Sequence, residues 1–395
     1  MRSNIVIVIV LLILITSCSE GDGTSNVVHS EIDSNEVCTA DYSLSESTIN
    51  DISLEAVPVL ASSTSNVQWF SSDELSSLRS EISEAISSNE CLISIYFTSL
   101  DDQNSLNLNV YPDWKLHPMS TYKPILSAFY YMTVGTIEPI NLEGDHDWEY
   151  YEEQNRNMIV DSDNFAATRI FKFLGEKYYG DLVLMKFNEF MRVNGMKNSE
   201  INLWNFYIDD KGLPSDEGYE PPRIESGGNC DFCIDCNQIS TAKDMGVFLT
   251  RLYDDLLVLT ESDIPTLLSK EVKTKIMGFM NREGQTDEYG FVGTFDELLE
   301  PQYFSKYGYF VASENHNFLY GIYNNLKNII SPSDWNHFIY DDMGYIYTNK
   351  GKFVYSVMAM DCHEEGEVKY AKTRDTVKDI GEMISNFIMY PDSII

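Results

Sequence analysis

Apolar and polar residues recur along the chain with two distinct periods. The apolar residues of segment 73–88 are spaced at helical intervals: Leu75, Leu78, Ile82 and Ile86. This spacing predicts a helix with one buried face. Two runs rich in β-favouring residues follow at 91–100 and 105–110, and the polar residues 101–104 between them predict the turn of a β-hairpin.

The same rules predict a helical middle and further strands towards the C-terminus. Helices are predicted from about Ser120 and at 164–178, 180–194, 241–257, 265–281 and 376–389, and strands at 307–312, 318–323, 344–348 and 352–360. Early strands, a helical middle and late strands predict an α+β fold, an α/β sandwich whose antiparallel sheet is completed by both chain ends and flanked by helices. The middle would form a helical lobe, and a ligand would bind between lobe and sheet.

The N-terminus differs from the rest of the chain. Arg2 precedes an unbroken apolar run from Ile5 to Ile15, which is too short to span a bilayer and is typical of a signal peptide. The segment Leu14–Cys18 resembles a bacterial lipobox, which implies lipidation of Cys18 and a membrane-anchored protein on the periplasmic or cell-surface side. Residues 1–18 would then be the signal peptide, the Ser- and Asn-rich residues 19–67 a disordered tether, and residues 68–395 the folded domain.

Charge and cysteine content narrow the possible partners. The formal net charge of -35 excludes nucleic acid as a partner, because phosphate backbones require a basic surface.

Cys230, Cys233 and Cys236 lack an evident fourth metal ligand, so we expect no metal or cofactor. Disulfides are the favoured use of these thiols, within this run or to the cysteines elsewhere in the exported chain: Cys38, Cys91 and Cys362. We expect a monomer.

The segment around Ser120 carries a pattern with chemical meaning. Ser120 and Lys123 form an S-x-x-K motif, which places a hydroxyl and an amine on one helix face, one turn apart. A serine needs a base in contact to act as a nucleophile, and burial makes a lysine easier to deprotonate. The pattern alone is weak, since Ser240 and Lys243 repeat it. We interpret that second copy as a helix N-cap followed by an exposed lysine.

A second motif, Ser162-Asp163-Asn164, precedes a predicted helix. Ser162 could relay a proton to a leaving nitrogen, and Asn164 could hydrogen-bond both Lys123 and a substrate amide. A helix N-cap cluster is the simpler alternative. S-x-x-K followed by S-D-N is part of the signature of class A β-lactamases and penicillin-binding proteins. The chain resembles this family over most of residues 90–390, with a shorter interval between the first two motifs, which implies a trimmed helical lobe.

The resemblance implies further site residues. Lys306-Tyr307-Gly308 is the best match to the family's K-T-G motif, with Lys327 as a weaker rival. Tyr307 stands where the family has Ser or Thr. The oxyanion hole would use the backbone N–H groups of Ser120 and Tyr309. A glutamate that positions the deacylating water would be Glu225, which has an asparagine at the family's spacing, or Glu220, which precedes a proline.

These observations support three functional hypotheses. The first is a serine hydrolase that forms an acyl-enzyme with β-lactams or acyl-D-Ala-type peptides of peptidoglycan, and that turns over as a β-lactamase. The second is a penicillin-binding D-Ala peptidase that deacylates slowly. The third is a non-catalytic lipoprotein that binds cell-wall fragments or peptides, which the imperfect third motif favours.

Overall fold

The computed structural model describes most of the chain beyond residue 69. The described residues are 70–89, 91–101, 106–135, 148–202, 224, 238–259, 268–281, 291, 293–311, 338–360 and 369–390. They belong to the second of two compact units, Asn66–Ile395. Among them, no helix combines the length and apolar character needed to cross a membrane. Cys18 and the segments predicted to be a signal peptide and a tether lie outside these ranges.

A five-stranded antiparallel sheet forms the centre of the fold. Its strands are β1 (Leu92–Ser99), β2 (Asn107–Val110), β5 (Gln302–Val311), β6 (Phe338–Thr348) and β7 (Gly351–Met360), in the spatial order β2-β1-β7-β6-β5. A separate two-stranded ladder joins β3 (Glu200–Ile201) and β4 (Gln238–Ile239). Because β1 pairs with β7, the early strands lie directly beside the late ones. The predicted α+β fold, with a sheet completed by both ends of the chain, is confirmed.

Helices cover both faces of this sheet. They are α1 (Ser72–Ser88), α2 (Lys123–Val134), α3 (Trp148–Val160), α4 (Asn164–Leu174), α5 (Val183–Val193), α6 (Ala242–Tyr253), α7 (Lys270–Phe279) and α8 (Lys369–Met389). Helices α1 and α8 share one apolar core with residues of β1 and β7. Helices α2 to α7 contribute to a second core on the opposite face, to which β6 contributes Met343 and Tyr345. This second group is the helical lobe.

Several predicted boundaries were wrong. Ser120 lies in a 3₁₀ turn, Met119–Tyr122, and the α-helix begins only at Lys123. The helix predicted over 164–178 ends at Leu174, where a π-helical turn takes over. Strand β6 starts at Phe338 instead of Gly344, and helix α3 was not predicted. The strand predicted at 318–323 lies outside the described residues.

The edge strand β5 positions the candidate site. It packs against the 3₁₀ turn that carries Ser120, and β6 contacts the same turn from the next position in the sheet. A side-chain carbon built on Gly308 of β5 would lie 2.4 Å from the backbone nitrogen of Ser120. Only glycine therefore fits at this position without displacing one backbone from the other.

Candidate active site

Ser120 occupies a turn with unusual backbone geometry. The preceding residue, Met119, has a φ of 37°, in the left-handed region that residues other than glycine rarely adopt. The backbone N–H of Met119 donates to Nδ1 of His117 at 3.3 Å, and the Thr121 hydroxyl donates to the carbonyl of Pro118. Such strained turns cluster at functional sites, where surrounding structure maintains them.

Lys123 is the first residue of α2 and its side chain is fully buried. Its Nζ lies 2.7 Å from Oδ1 of Asn164, 2.5 Å from the carbonyl oxygen of Ser162 and 3.3 Å from the Ser162 hydroxyl. The two predicted motifs, which are far apart in sequence, therefore meet at this amine.

The loop before α4 has two roles. Asp163 is the N-cap of α4, and its Oδ1 accepts hydrogen bonds from the backbone N–H groups of Phe165 at 2.7 Å and Ala166 at 3.2 Å. This capping fixes the chain direction, so that the flanking Ser162 and Asn164 both face Lys123. Within this motif, Asp163 therefore caps the helix, whereas Ser162 and Asn164 are the residues that contact Lys123.

Lys306 approaches the same hydroxyl from the sheet. Its side chain is fully buried, and its Nζ donates to Oγ of Ser162 at 2.8 Å and to the carbonyl of Tyr307 at 2.9 Å. The structure therefore brings Lys306 together with the other motif residues. The rival Lys327 lies outside the described residues.

A cavity of about 280 Å³ opens over this cluster. Its lining residues are Ser120, Asp161, Ser162, Asn164, Tyr307 and Gly308. The hydroxyl of a potential nucleophile, a second hydroxyl held by two lysines and an amide thus border one space.

Comparison with known proteins gives a consistent result for the fold. No protein-family model matches the chain, and no curated protein matches it by sequence. Among solved structures, a β-lactamase from Sphaerobacter thermophilus matches 79% of this chain and 97% of its own length, with a TM-score of 0.50 and 14% identity. A protein named PBP-A matches 79% and 96%, with a TM-score of 0.51 and 16% identity. A class A β-lactamase from Mycobacterium abscessus matches 78% and 97%, with a TM-score of 0.50 and 13% identity.

The chain has the class A β-lactamase fold. This fold is shared with penicillin-binding serine hydrolases, and identities this low establish the fold alone.

Burial makes the amine of Lys123 easier to deprotonate. Burial lowers the pKa of Lys123 to about 7, and the nearby carboxylate of Asp163 opposes only part of this shift. A large fraction of Lys123 is therefore unprotonated at neutral pH. A hydroxyl has one proton and two lone pairs, so Ser162 can accept from Lys306 while donating to the neutral amine of Lys123.

Sequence reasoning missed two acidic residues near the site. Asp161 borders the cavity directly before the S-D-N motif. Asp341 of β6 pairs in register with Gly308 and is fully buried. Burial, together with the adjacent Asp342, raises the pKa of Asp341 well above its usual range. The acidic pair Asp341-Asp342, just before the strand predicted at 344–348, is the only sequence signal for Asp341.

Some predicted residues lie outside the described part of the chain. Glu225 and Glu220, the two candidates for positioning a deacylating water, are among them, as are Cys38, Cys362 and the C-x2-C-x2-C run at 230–236. Cys91, which lies just before β1, is disulfide-bonded. The assignment of a deacylating glutamate stays a prediction.

Proposed function

We propose that the protein is a serine hydrolase in which Ser120 attacks the carbonyl of a β-lactam or of an acyl-D-Ala-type peptide and forms an acyl-enzyme. One observation carries this proposal: the buried amine of Lys123, with a pKa of about 7, lies within hydrogen-bonding distance of both Ser162 and Asn164. Groups arranged to shift one another's protonation mark functional sites more often than structural ones.

Each motif residue has a role in this mechanism. Neutral Lys123 takes the proton of the Ser120 hydroxyl as it attacks the carbonyl carbon. The backbone N–H groups of Ser120 and Tyr309 bind the developing oxyanion, and the close approach of Gly308 to the Ser120 nitrogen supports this arrangement.

Ser162 completes the proton path. It delivers a proton to the leaving nitrogen and is resupplied by the now protonated Lys123, at 3.3 Å. The charge of Lys306, 2.8 Å away, stabilises the Ser162 oxygen as it loses its proton. Asn164 holds Lys123 in place and offers its amide to the substrate.

The fate of the acyl-enzyme separates two activities. If Glu225 or Glu220 positions a water molecule, the acyl-enzyme is hydrolysed and the protein is a β-lactamase. If neither does, it stays acylated or processes wall peptides slowly, as a penicillin-binding peptidase. In either case we propose that it acts as a monomer outside the cytoplasm, attached to the membrane through lipidated Cys18.

Mass spectrometry after incubation with a penicillin tests the first step. Opening the lactam ring adds the whole penicillin to the nucleophile, so we expect a mass increase of one intact penicillin, mapped to the peptide that contains Ser120. The Ser120→Ala variant should show no adduct, and Ser240→Ala, in the repeated motif, is the matched control that should label normally. Equal labelling of the two variants would remove the mechanism.

Two further measurements separate the alternatives. Turnover of a chromogenic cephalosporin indicates a β-lactamase, whereas stoichiometric labelling by a fluorescent penicillin without turnover indicates a slowly deacylating protein. Saturable binding of wall fragments without any adduct would favour a non-catalytic receptor. Tyr307, which stands where a smaller hydroxyl side chain is expected, is the observation that favours this receptor.

A further inference from the structure

The cavity over Ser120 carries a negative charge at its border. Asp161 lines the cavity and directly precedes Ser162, the proposed proton donor to the leaving group. Its side chain is 61% exposed, and Arg156, the cation that pairs with it at 4.0 Å, is 56% exposed. An ion pair this long and this solvated neutralises little of the Asp161 charge.

The two amines of the site lie beneath its surface. Lys123 and Lys306 are both fully buried, and both direct Nζ towards Ser162. Neither lines the cavity, and none of the lining residues among the described ones is cationic. Of the described residues that line the cavity, Asp161 is therefore the one with a formal charge.

We propose that Asp161 determines substrate specificity, so that the site acylates most readily those substrates whose leaving side carries an ammonium or a neutral group in place of a carboxylate. This inference rests on the proposed function. The reaction is ordinary acyl transfer: the bond from Ser120 Oγ to the acyl carbon forms and the acyl–nitrogen bond breaks. Lys123 takes the proton of Ser120, Ser162 gives its own proton to the leaving nitrogen, and Lys123 then resupplies Ser162. The Asp161 carboxylate attracts a positive group, or repels a negative group, on the leaving side of the substrate, and it takes no proton.

A set of three matched β-lactams provides the test. The probes are benzylpenicillin, its methyl ester and its 2-aminoethyl amide, which place a negative, a neutral and a positive group at the same position. The second-order rate of adduct formation on Ser120 is measured by mass spectrometry for each. For the wild-type protein we expect the order amine, ester, acid, with about a tenfold difference between the first and the last.

Two variants assign the preference to Asp161. In Asp161→Asn the ratio of amine to acid rates should fall to about two, because the charge is removed while the shape is kept. Asp181→Asn, an exposed acid in the 3₁₀ turn before α5, is the matched control and should keep the wild-type ratio. Raising the salt to 1 M should shrink the wild-type ratio as well, since exposed charges are screened over about 3 Å.

The outcomes separate this inference from the proposed function. Adducts that form at equal rates, or fastest with the acid, overturn the inference and leave the serine hydrolase intact. A preference for the amine that survives Asp161→Asn also overturns it. Failure of all three probes to label Ser120 overturns the proposed function and the inference with it.

Discussion

The chain contains the S-x-x-K pattern twice, each time at the start of a helix, and the two copies differ in the burial and contacts of their side chains. In the first, Lys123 is fully buried and its amine contacts Ser162 and Asn164 from a distant loop. In the second, Lys243 is 49% exposed and its amine pairs with Asp113 at 3.1 Å across open surface. Burial shifts the pKa of the first lysine, whereas solvent would screen the charge of the second.

The two serines differ as well. Ser120 borders a cavity, whereas Ser240 is fully buried with its hydroxyl 2.7 Å from that of Ser199. The helix cap predicted for the second copy exists, but the capping side chain is Thr241, which accepts from the backbone N–H of Asp244. The two copies are therefore distinguished by the burial and hydrogen-bond partners that a second segment supplies to the first, and not by their spacing.

Replacing each lysine in turn should break the comparison most strongly. In Lys123→Gln the base is lost, and we expect the acylation rate by a penicillin to fall by about 10³-fold. Lys243→Gln should change that rate less than twofold, because its amine pairs with a carboxylate on the surface. Stopped-flow labelling with a fluorescent penicillin measures both. Similar losses in the two variants would contradict the assignment of Lys123 as the base.

For the same reason, the pH dependence of acylation should follow the titration of Lys123 and not that of Lys243. Since the pKa of Lys123 is about 7, its amine is mostly protonated below that pH and mostly neutral above it. The acylation rate should therefore be nearly constant above pH 8 and fall by about 100-fold between pH 8 and pH 5. The Lys243→Gln variant should give a superimposable profile. A wild-type rate independent of pH over this range would exclude a titrating lysine.

Two glycines extend the comparison to backbone contacts. A methyl group on Gly308 would lie 2.4 Å from the Ser120 nitrogen, so Gly308→Ala should shift the nucleophile and lower the acylation rate by about 100-fold. A methyl group on Gly246, which follows the second copy in α6, would instead lie 2.0 Å from the ring of Tyr96. Gly246→Ala should therefore lower the free energy of unfolding by about 1–3 kcal/mol.

Denaturant titration and labelling kinetics together separate these two effects. The expected result is a lower acylation rate for one variant and a lower stability for the other. If Gly246→Ala slowed acylation as much as Gly308→Ala under conditions in which both variants are fully folded, the slower acylation could not be assigned to the contact between β5 and the Ser120 turn.

The fold was predictable where the buried positions of an element are apolar. Helix α1 and strand β7 agree closely with their predicted ranges, because all of their buried positions except Ser356 are apolar or aromatic. Strand β6 was cut short because Asp341 and Asp342 lie within it, and buried carboxyl groups are too costly to expect in a strand. Asp342 accepts hydrogen bonds from the hydroxyls of Tyr340 at 3.1 Å and Tyr355 at 3.0 Å. The second of these partners comes from β7, so no local pattern reveals it.

Helix α3 was missed for a related reason. Its buried face includes Gln154 and Asn155 beside Met158 and Ile159, so it has no continuous apolar stripe. The Gln154 side chain is satisfied by Arg169 of the next helix at 3.0 Å. Tertiary contacts stabilise this helix in place of the apolar periodicity that sequence analysis detects.

The residues of the candidate site were identifiable from motif spacing, but their environment was not. Ser120, Lys123 and Ser162 stand out as part of a known signature, whereas Asp161 has the sequence appearance of an ordinary solvated acid. Its position on the cavity follows from the N-cap geometry of Asp163, which turns the whole loop towards Lys123. Long-range convergence of this kind is set by packing and not by local propensity.

Breaking the ion pair between Lys243 and Asp113 should have the smallest effect, a slight loss of stability. Lys243 and Asp113 are 49% and 60% exposed, so breaking the pair with Asp113→Asn should lower the free energy of unfolding by about 0.5 kcal/mol. Calorimetry at low and high salt measures this difference, which should shrink as salt screens the wild-type pair. Acylation of Ser120 should stay within twofold of wild type. A larger loss of acylation would mean that the second S-x-x-K copy is coupled to the site, because the same substitution leaves every contact of Lys123 in place.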